Sequence, residues 1–173
     1  MTMFQESDVH SSAQLTHLDE SGHIHMVDVT DRPETVREAV AKARVRMLPS
    51  TIRLIETNQV AKGSVLEVAK IAGIMAAKQT PQIIPLCHPL PMTHIDLKFT
   101  LDSTEGLIAI EGRTRTNYKT GVDVEALTAV TVAALTIYDM CKGTDTTITL
   151  EQAYVAQKSG GKSGTVDFQP ANR

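Results

Sequence analysis

The order of hydrophobic periodicities along this chain predicts an α+β fold, a split βαβ arrangement in which an antiparallel sheet carries its helices on one face. Three observations predict it. Two alternating runs, residues 95–101 and 107–116, flank the turn Asp102-Ser103-Thr104-Glu105-Gly106 and read as a hairpin. A helical run precedes that hairpin and a longer one follows it. A first strand at 35–47 and a last one at 146–155 bracket the whole.

Each element has its own reason. In the first strand Ala39, Ala41, Ala43, Val45 and Met47 alternate with Lys42, Arg44 and Arg46. A helical pattern (Val36, Ala39, Val40, Ala43, Met47) fits almost as well, and the strand is preferred. Residues 50–58 read as a short helix behind Pro49. Residues 64–78 read as a helix opened by a Ser64–Glu67 capping box. Its apolar stripe is Val65, Val68, Ile71, Ala72 and Met75. Gly73, Ala76 and Ala77 leave room for close packing, and Pro81 limits its continuation. Residues 123–142 form a long helix, about 30 Å at 1.5 Å per residue. Twelve of the sixteen residues from Ala126 to Cys141 are apolar, which leaves no full polar face and points to oligomerisation. The order strand, helix, hairpin, helix, strand is the ferredoxin-like arrangement.

The chain has 173 residues, the size of one domain, expected over 15–164 between a flexible tail at 1–14 and a C-terminal tail at 165–173. A net charge of −3 argues against a nucleic-acid binder, and 3% aromatic content with no Trp argues against stacking platforms. Cys87 and Cys141 give no disulfide framework and fit a reducing cytosol. Residues 1–14 lack the basic start and apolar stretch of a signal peptide, and the run 126–141 is short for a membrane span. The expectation is a cytoplasmic protein with no membrane partner.

Four places concentrate reactive groups. In Pro85-Leu86-Cys87-His88-Pro89-Leu90 two prolines stiffen a loop that carries one imidazole. Zinc held by His23, His25, Cys87, His88 and His94 is disfavoured, because the spacing fits no standard finger and adjacent ligands close a tetrahedron poorly. Asp139 and Lys142 project from one helical face, three residues apart. This is either an ordinary salt bridge or a partly desolvated pair that tunes a lysine for proton transfer. Asp123 and Glu125, after Lys119-Thr120-Gly121-Val122, either complement a helix N-terminus or recognise the N–H groups of a ring. Residues 158–164 imitate a phosphate loop, but the Walker pattern needs Gly where Ala156 stands, and no helix follows. A Gly-Ser-Lys segment of this kind is either a solvated tail or a wrap for phosphates.

Seven strings carry a resemblance: Met26 to Thr30, Ile71 to Ile74, Ile84 to Leu90, Lys119 to Val122, Glu125 to Ala129, Ala133 to Lys142 and Lys158 to Gly164. In this order they resemble the MoaC family, the cyclic pyranopterin monophosphate synthases of molybdenum cofactor biosynthesis, over roughly residues 15–164. The resemblance implies a ferredoxin-like subunit in a homohexamer, a trimer of dimers with sites at subunit interfaces. It also implies a phosphorus–oxygen lyase acting on a small molecule, 3′,8-cyclo-7,8-dihydroguanosine 5′-triphosphate, giving cyclic pyranopterin monophosphate and pyrophosphate. No cofactor is implied beyond Mg2+ on the substrate phosphates.

Carried over position by position, the resemblance makes Asp139 and Lys142 the catalytic pair, with Lys142 moving protons and Asp139 holding it. Leu86, Cys87 and His88 match the substrate-binding loop, and Val124 and Glu125 a second binding segment. Arg37, Lys62, Lys78 and Lys158 match basic residues around the triphosphate or the opening ring; the triphosphate's several negative charges need neutralising. Asp28 matches a further acid lining the site. Asp123-Val124-Glu125 departs from the Glu-Met-Glu common in the family; Asp123 keeps the charge on a shorter arm. A rival of another class, a non-catalytic nucleotide-binding module, would survive loss of Lys142 with only modestly weaker binding.

Overall fold

The computed structural model of the protein describes residues 21–162 and 164–170; the tail expected at 1–14 lies outside them, as do residues 15–20. The chain runs β1 (Thr35–Arg46), α1 (Pro49–Glu56), α2 (Val65–Lys78), α3 (Thr80–Ile83), β2 (Met92–Asp102), β3 (Leu107–Tyr118), α4 (Asp123–Cys141), β4 (Thr149–Ser159) and β5 (Val166–Asp167). The strands form one antiparallel sheet in the order β2-β3-β1-β4-β5. β3 sits between β1 and β2, and β1 between β3 and β4, which is the predicted split βαβ arrangement with the helices on one side.

The core lies between that side of the sheet and the helices. Ala39, Ala41, Ala43 and Val45 of β1, Ile108 and Ile110 of β3 and Leu97 of β2 meet Ala126, Ala129, Val130, Ala133 and Ile137 of α4. The period of two puts Lys42, Arg44 and Arg46 on the opposite, open face. Ile52, Leu97, Ile108, Ile110 and Ile137 are fully enclosed. Each such side chain contributes about 1.5–3 kcal/mol over its exposed state.

In α2 the small residues read as leaving room for close packing, Gly73, Ala76 and Ala77, are buried with Val65 and Ala69, while Val68, Ile71 and Met75 of the apolar stripe are exposed. The reason is close approach: a Cβ added to Gly73 would meet the backbone oxygen of Ala129 at 2.8 Å. Small residues let α2 lie directly on α4, and the bulky stripe is turned outward. The expected capping box is also not formed, since Ser64 makes no side-chain cap. α4 is long and apolar enough to cross a membrane, beyond what its central run suggested. Its inner face packs on the sheet, and its outer side, with Leu135 55% exposed, stays open in the single chain.

The last strand starts three residues later than predicted and ends four later. Asp145 causes the delay. Its buried carboxylate accepts bonds from Thr147 N (2.8 Å), Thr147 Oγ1 (2.7 Å), Leu48 N (2.7 Å) and Thr51 Oγ1 (3.1 Å), which ties a turn where extended chain was expected. The extension comes from Gln157–Ser159 pairing with Glu38–Val40 of β1. Past Gly164, where a tail was expected, β5 pairs with Gln157 and Lys158.

Candidate active site

Three segments meet at the N-terminal end of α4 and enclose a cleft of about 230 Å3. Leu86, Cys87, His88 and Leu90 come from the stiff loop after α3. Thr120, Gly121, Asp123, Val124 and Glu125 come from the turn into α4. Val27, Val29 and Arg32 come from the arm that precedes β1. The arm is pinned from both sides: His88 Nε2 donates to Val27 O (2.9 Å) and Lys119 Nζ to Thr30 O (2.7 Å). Within it Asp28 accepts from Thr30 N (2.8 Å) and Thr30 Oγ1 (2.6 Å), and these bonds hold its carboxyl below the usual range. Thr114 Oγ1 donates to Val122 O (2.9 Å), fixing the turn from which α4 springs.

Glu125 lies on the first turn of α4 and is only 3% exposed. Loss of water pushes its carboxyl up to about 7, and the nearby charge of Asp123 pushes the same way. A carboxylic acid set near neutrality can both accept and return a proton. Burial also pushes the Cys87 thiol up, reinforced by Glu125 and Asp123, so Cys87 lines the cleft as a thiol rather than a thiolate.

Cations gather on the rim. Lys158 Nζ lies 3.6 Å from Asp123 Oδ2. Arg37 Nη2 donates to Lys119 O (3.3 Å), and its guanidinium lies against Gly161. Arg37 Nε is buried without a hydrogen-bond partner. Lys78 is exposed at the end of α2. Because α2 runs antiparallel to α4, that end is level with the cleft.

The expected catalytic pair is elsewhere. Asp139 Oδ1 is 2.7 Å from Lys142 Nζ and its Oδ2 is 3.0 Å from Lys62 Nζ, so one carboxylate serves two lysines. Lys62 also donates to Asp139 O (2.7 Å), capping the end of α4. The Asp139 carboxyl is held below its ordinary range by Lys142 first and Lys62 second, and Lys142 is raised by Asp139. Of the two readings left open for the pair, an ordinary salt bridge and a partly desolvated one, the single chain shows the exposed salt bridge. The side chains of Asp139 and Lys142 are 54% and 51% exposed. Sixteen residues separate Asp123 from Asp139, about 24 Å along a helix axis.

The structure therefore brings the predicted residues into two groups. Leu86, Cys87, His88, Asp123, Val124, Glu125, Arg37, Lys158 and Asp28 collect at one end of α4, with Lys78 at the end of α2 on the same side, and Lys62, Asp139 and Lys142 lie at the other. Arg32 in the cleft wall was not singled out as a site residue, while Lys119, which opens one of the reactive segments, anchors the arm. A charged residue in a polar stretch has no periodicity to betray it. Among the described residues no group of three His, Cys, Asp or Glu could hold a metal ion, so the histidines weighed for zinc do not assemble. A groove of about 350 Å3 on the open sheet face, between Lys42, Lys98, Glu111 and Tyr154, is larger than the cleft but contains none of the predicted residues.

The model of the MoaC family matches residues 26–161 of this chain. A cyclic pyranopterin monophosphate synthase of Heliobacterium modesticaldum is 55% identical over 150 residues, covering 87% of this chain and 94% of its own length. The synthase of Thermomicrobium roseum is 51% identical, covering 88% of this chain and 92% of its own length. That of a Nostoc species is 49% identical, covering 93% and 95%. The matched stretch runs from the pinned arm through the cleft loop and both ends of α4 to the turn after β4, so every group described above falls inside it, and the chain belongs to the MoaC family.

Proposed function

We propose that this protein is a cyclic pyranopterin monophosphate synthase, a phosphorus–oxygen lyase of molybdenum cofactor biosynthesis working in the cytoplasm. It takes 3′,8-cyclo-7,8-dihydroguanosine 5′-triphosphate to cyclic pyranopterin monophosphate and pyrophosphate. The observation that carries the reading is the split of its reactive groups between the two ends of α4. A small molecule does not reach across about 24 Å, so the cleft of one copy is completed by the Asp139–Lys142–Lys62 cluster of another. The exposed Val68, Ile71, Met75 and Leu135 supply apolar surface for such assembly, and a trimer of dimers is the expected form.

Each group then has a task. Glu125, buried and near neutrality, accepts the N–H groups of the guanine-derived ring, with His88 beside it. Lys158, Arg37 and Arg32 face the triphosphate as charge-assisted donors. Lys142, kept protonated by Asp139, gives its proton to the nitrogen released as the imidazole-derived ring opens and takes one back as the new ring closes. In cyclisation a sugar hydroxyl oxygen bonds to the α-phosphorus while the bond from that phosphorus to the bridging oxygen breaks. The hydroxyl proton passes to a base, and pyrophosphate leaves with the bonding electron pair onto cations. The reading calls for no resident cofactor, and Mg2+ enters only as a counter-ion of the phosphates.

Pyrophosphate release from the cyclised dihydro-GTP tests the proposal. Wild type releases it, while Lys142→Ala and Glu125→Ala, each alone, are nearly silent. Refolding the two variants together restores up to about a quarter of the wild-type rate, the share of sites that random pairing leaves intact. A silent wild type overturns the reaction. No recovery in the mixture, with assembly intact, overturns the shared site.

A further inference from the structure

Lys158 is held from three directions. Its backbone belongs to β4, paired with Ala39 of β1 on one side and Val166 of β5 on the other. Its ammonium lies near Asp123 at the cleft rim, at 3.6 Å. On a further side the ring of Phe168 stands with its centroid 5.5 Å from Nζ. The ring is itself fixed, because Phe168 N donates to Ala156 O (2.8 Å) and Gln157 Nε2 donates to Asp167 Oδ1 (2.8 Å). Gly160 and Gly161, at φ +98° and +69°, let the chain turn back so that β5 can pair. Phe168 is 40% exposed, so burial alone does not account for its place.

The two side-chain partners of Lys158 differ in one respect. A carboxylate neutralises an ammonium and competes with any phosphate for it. An aromatic ring attracts the cation through its quadrupole and leaves the full positive charge available. We infer that Phe168 is a positioning residue for the substrate's phosphates: its ring keeps the Lys158 ammonium at the cleft rim when an anionic ligand draws it from Asp123. This rests on the synthase reading and adds to it a residue from the chain end, beyond the stretch that matches the family.

Phe168→Leu, Phe168→Trp and the wild type decide it. In the pyrophosphate-release assay Phe168→Leu raises KM about three- to fivefold and leaves kcat within about twofold, since a contact of this kind is modest at an exposed site. Phe168→Trp restores the wild-type KM. The Cε protons of Lys158 show an upfield ring-current shift in the wild type that Phe168→Leu abolishes. A KM for Phe168→Leu equal to that of wild type overturns the inference, and so does equal impairment of the Leu and Trp variants, which would mean the ring only packs the chain end. Calorimetry with inorganic pyrophosphate separates this from the reaction itself. If the wild type turns nothing over yet binds pyrophosphate more tightly than Phe168→Leu, the reaction falls and the positioning role stands. Equal binding ends the role.

Discussion

His88 donates through Nε2 to the carbonyl oxygen of Val27 at 2.9 Å. A carbonyl only accepts, so this nitrogen carries the proton, and Nδ1 is the one left to accept from a ligand when the ring is neutral. One bond thereby sets the tautomer of a cleft residue and fastens the arm that carries Asp28 and Arg32. Nitrogen-15 spectra of labelled histidine in alkaline solution are expected to show the Nε2–H form for His88. An Nδ1–H pattern would refute the assignment. His88→Gln retains an amide donor for Val27 but removes the ring acceptor from the cleft, and is expected to raise KM while leaving the arm in place.

Asp139→Asn leaves Lys62 and Lys142 side by side without their shared counter-charge. Lys142 then keeps at most a neutral acceptor and loses the carboxylate that raises its pKa. The alkaline limb of the rate profile is expected to move to lower pH, with kcat falling. The melting temperature is expected to stay at the wild-type value, because an ion pair this exposed contributes little to folding. A large drop in melting temperature with an unmoved pH profile would make the cluster structural.

Glu125 ties stability to pH. Its carboxyl sits at about 7 in the folded chain against 4.5 as an ordinary glutamate, so folding favours the protonated form. Its contribution is complete below about pH 4.5 and is lost as pH rises through 7. The difference corresponds to roughly 3 kcal/mol. Urea titrations of Glu125→Gln are expected to match wild type at pH 4 and to show the variant more stable at pH 8. Parallel stability curves across that range would contradict the burial of this carboxyl.

Gly73→Ala tests the contact between α2 and α4. The added methyl would lie 2.8 Å from Ala129 O and 2.8 Å from Leu97 Cδ2, in the middle of the core. Overpacking of this kind costs about 1–3 kcal/mol, more than the helix propensity that alanine gains. Gly143→Ala, where a Cβ meets nothing within 4 Å, is the control, expected within about 0.5 kcal/mol of wild type. A gain in stability from Gly73→Ala would mean the two helices lie further apart than described.

Much of the fold could be read locally. The alternation in β1 and in the β2–β3 hairpin, and the long apolar run of α4, are one-dimensional patterns produced by side chains that alternate or recur within one element. The stripe of α2 shows the limit of such patterns. A periodic row of large apolar residues reveals an apolar face, but not whether that face meets this chain's core or something outside it. Here the backbone comes so near Ala129 that only small residues fit between the helices, and Val68, Ile71 and Met75 are displaced outward. The start of β4 was missed because Asp145 is tied to Leu48, nearly a hundred residues earlier, and no local pattern carries that bond.

For the candidate site the division is similar. The residue types and their motifs were legible along the chain: a stiff Cys-His loop, two acids opening α4, and an acid and a lysine closing it. Which of them stand side by side came from the folding of the chain in space. It gave Asp139 a second lysine from before α2, buried Glu125 until its carboxyl reached neutrality, pinned the arm to His88 and Lys119, and laid Phe168 over Lys158. Charge, hydration and reach depend on distance through space, and spacing along a chain fixes that distance only within a single helix or strand.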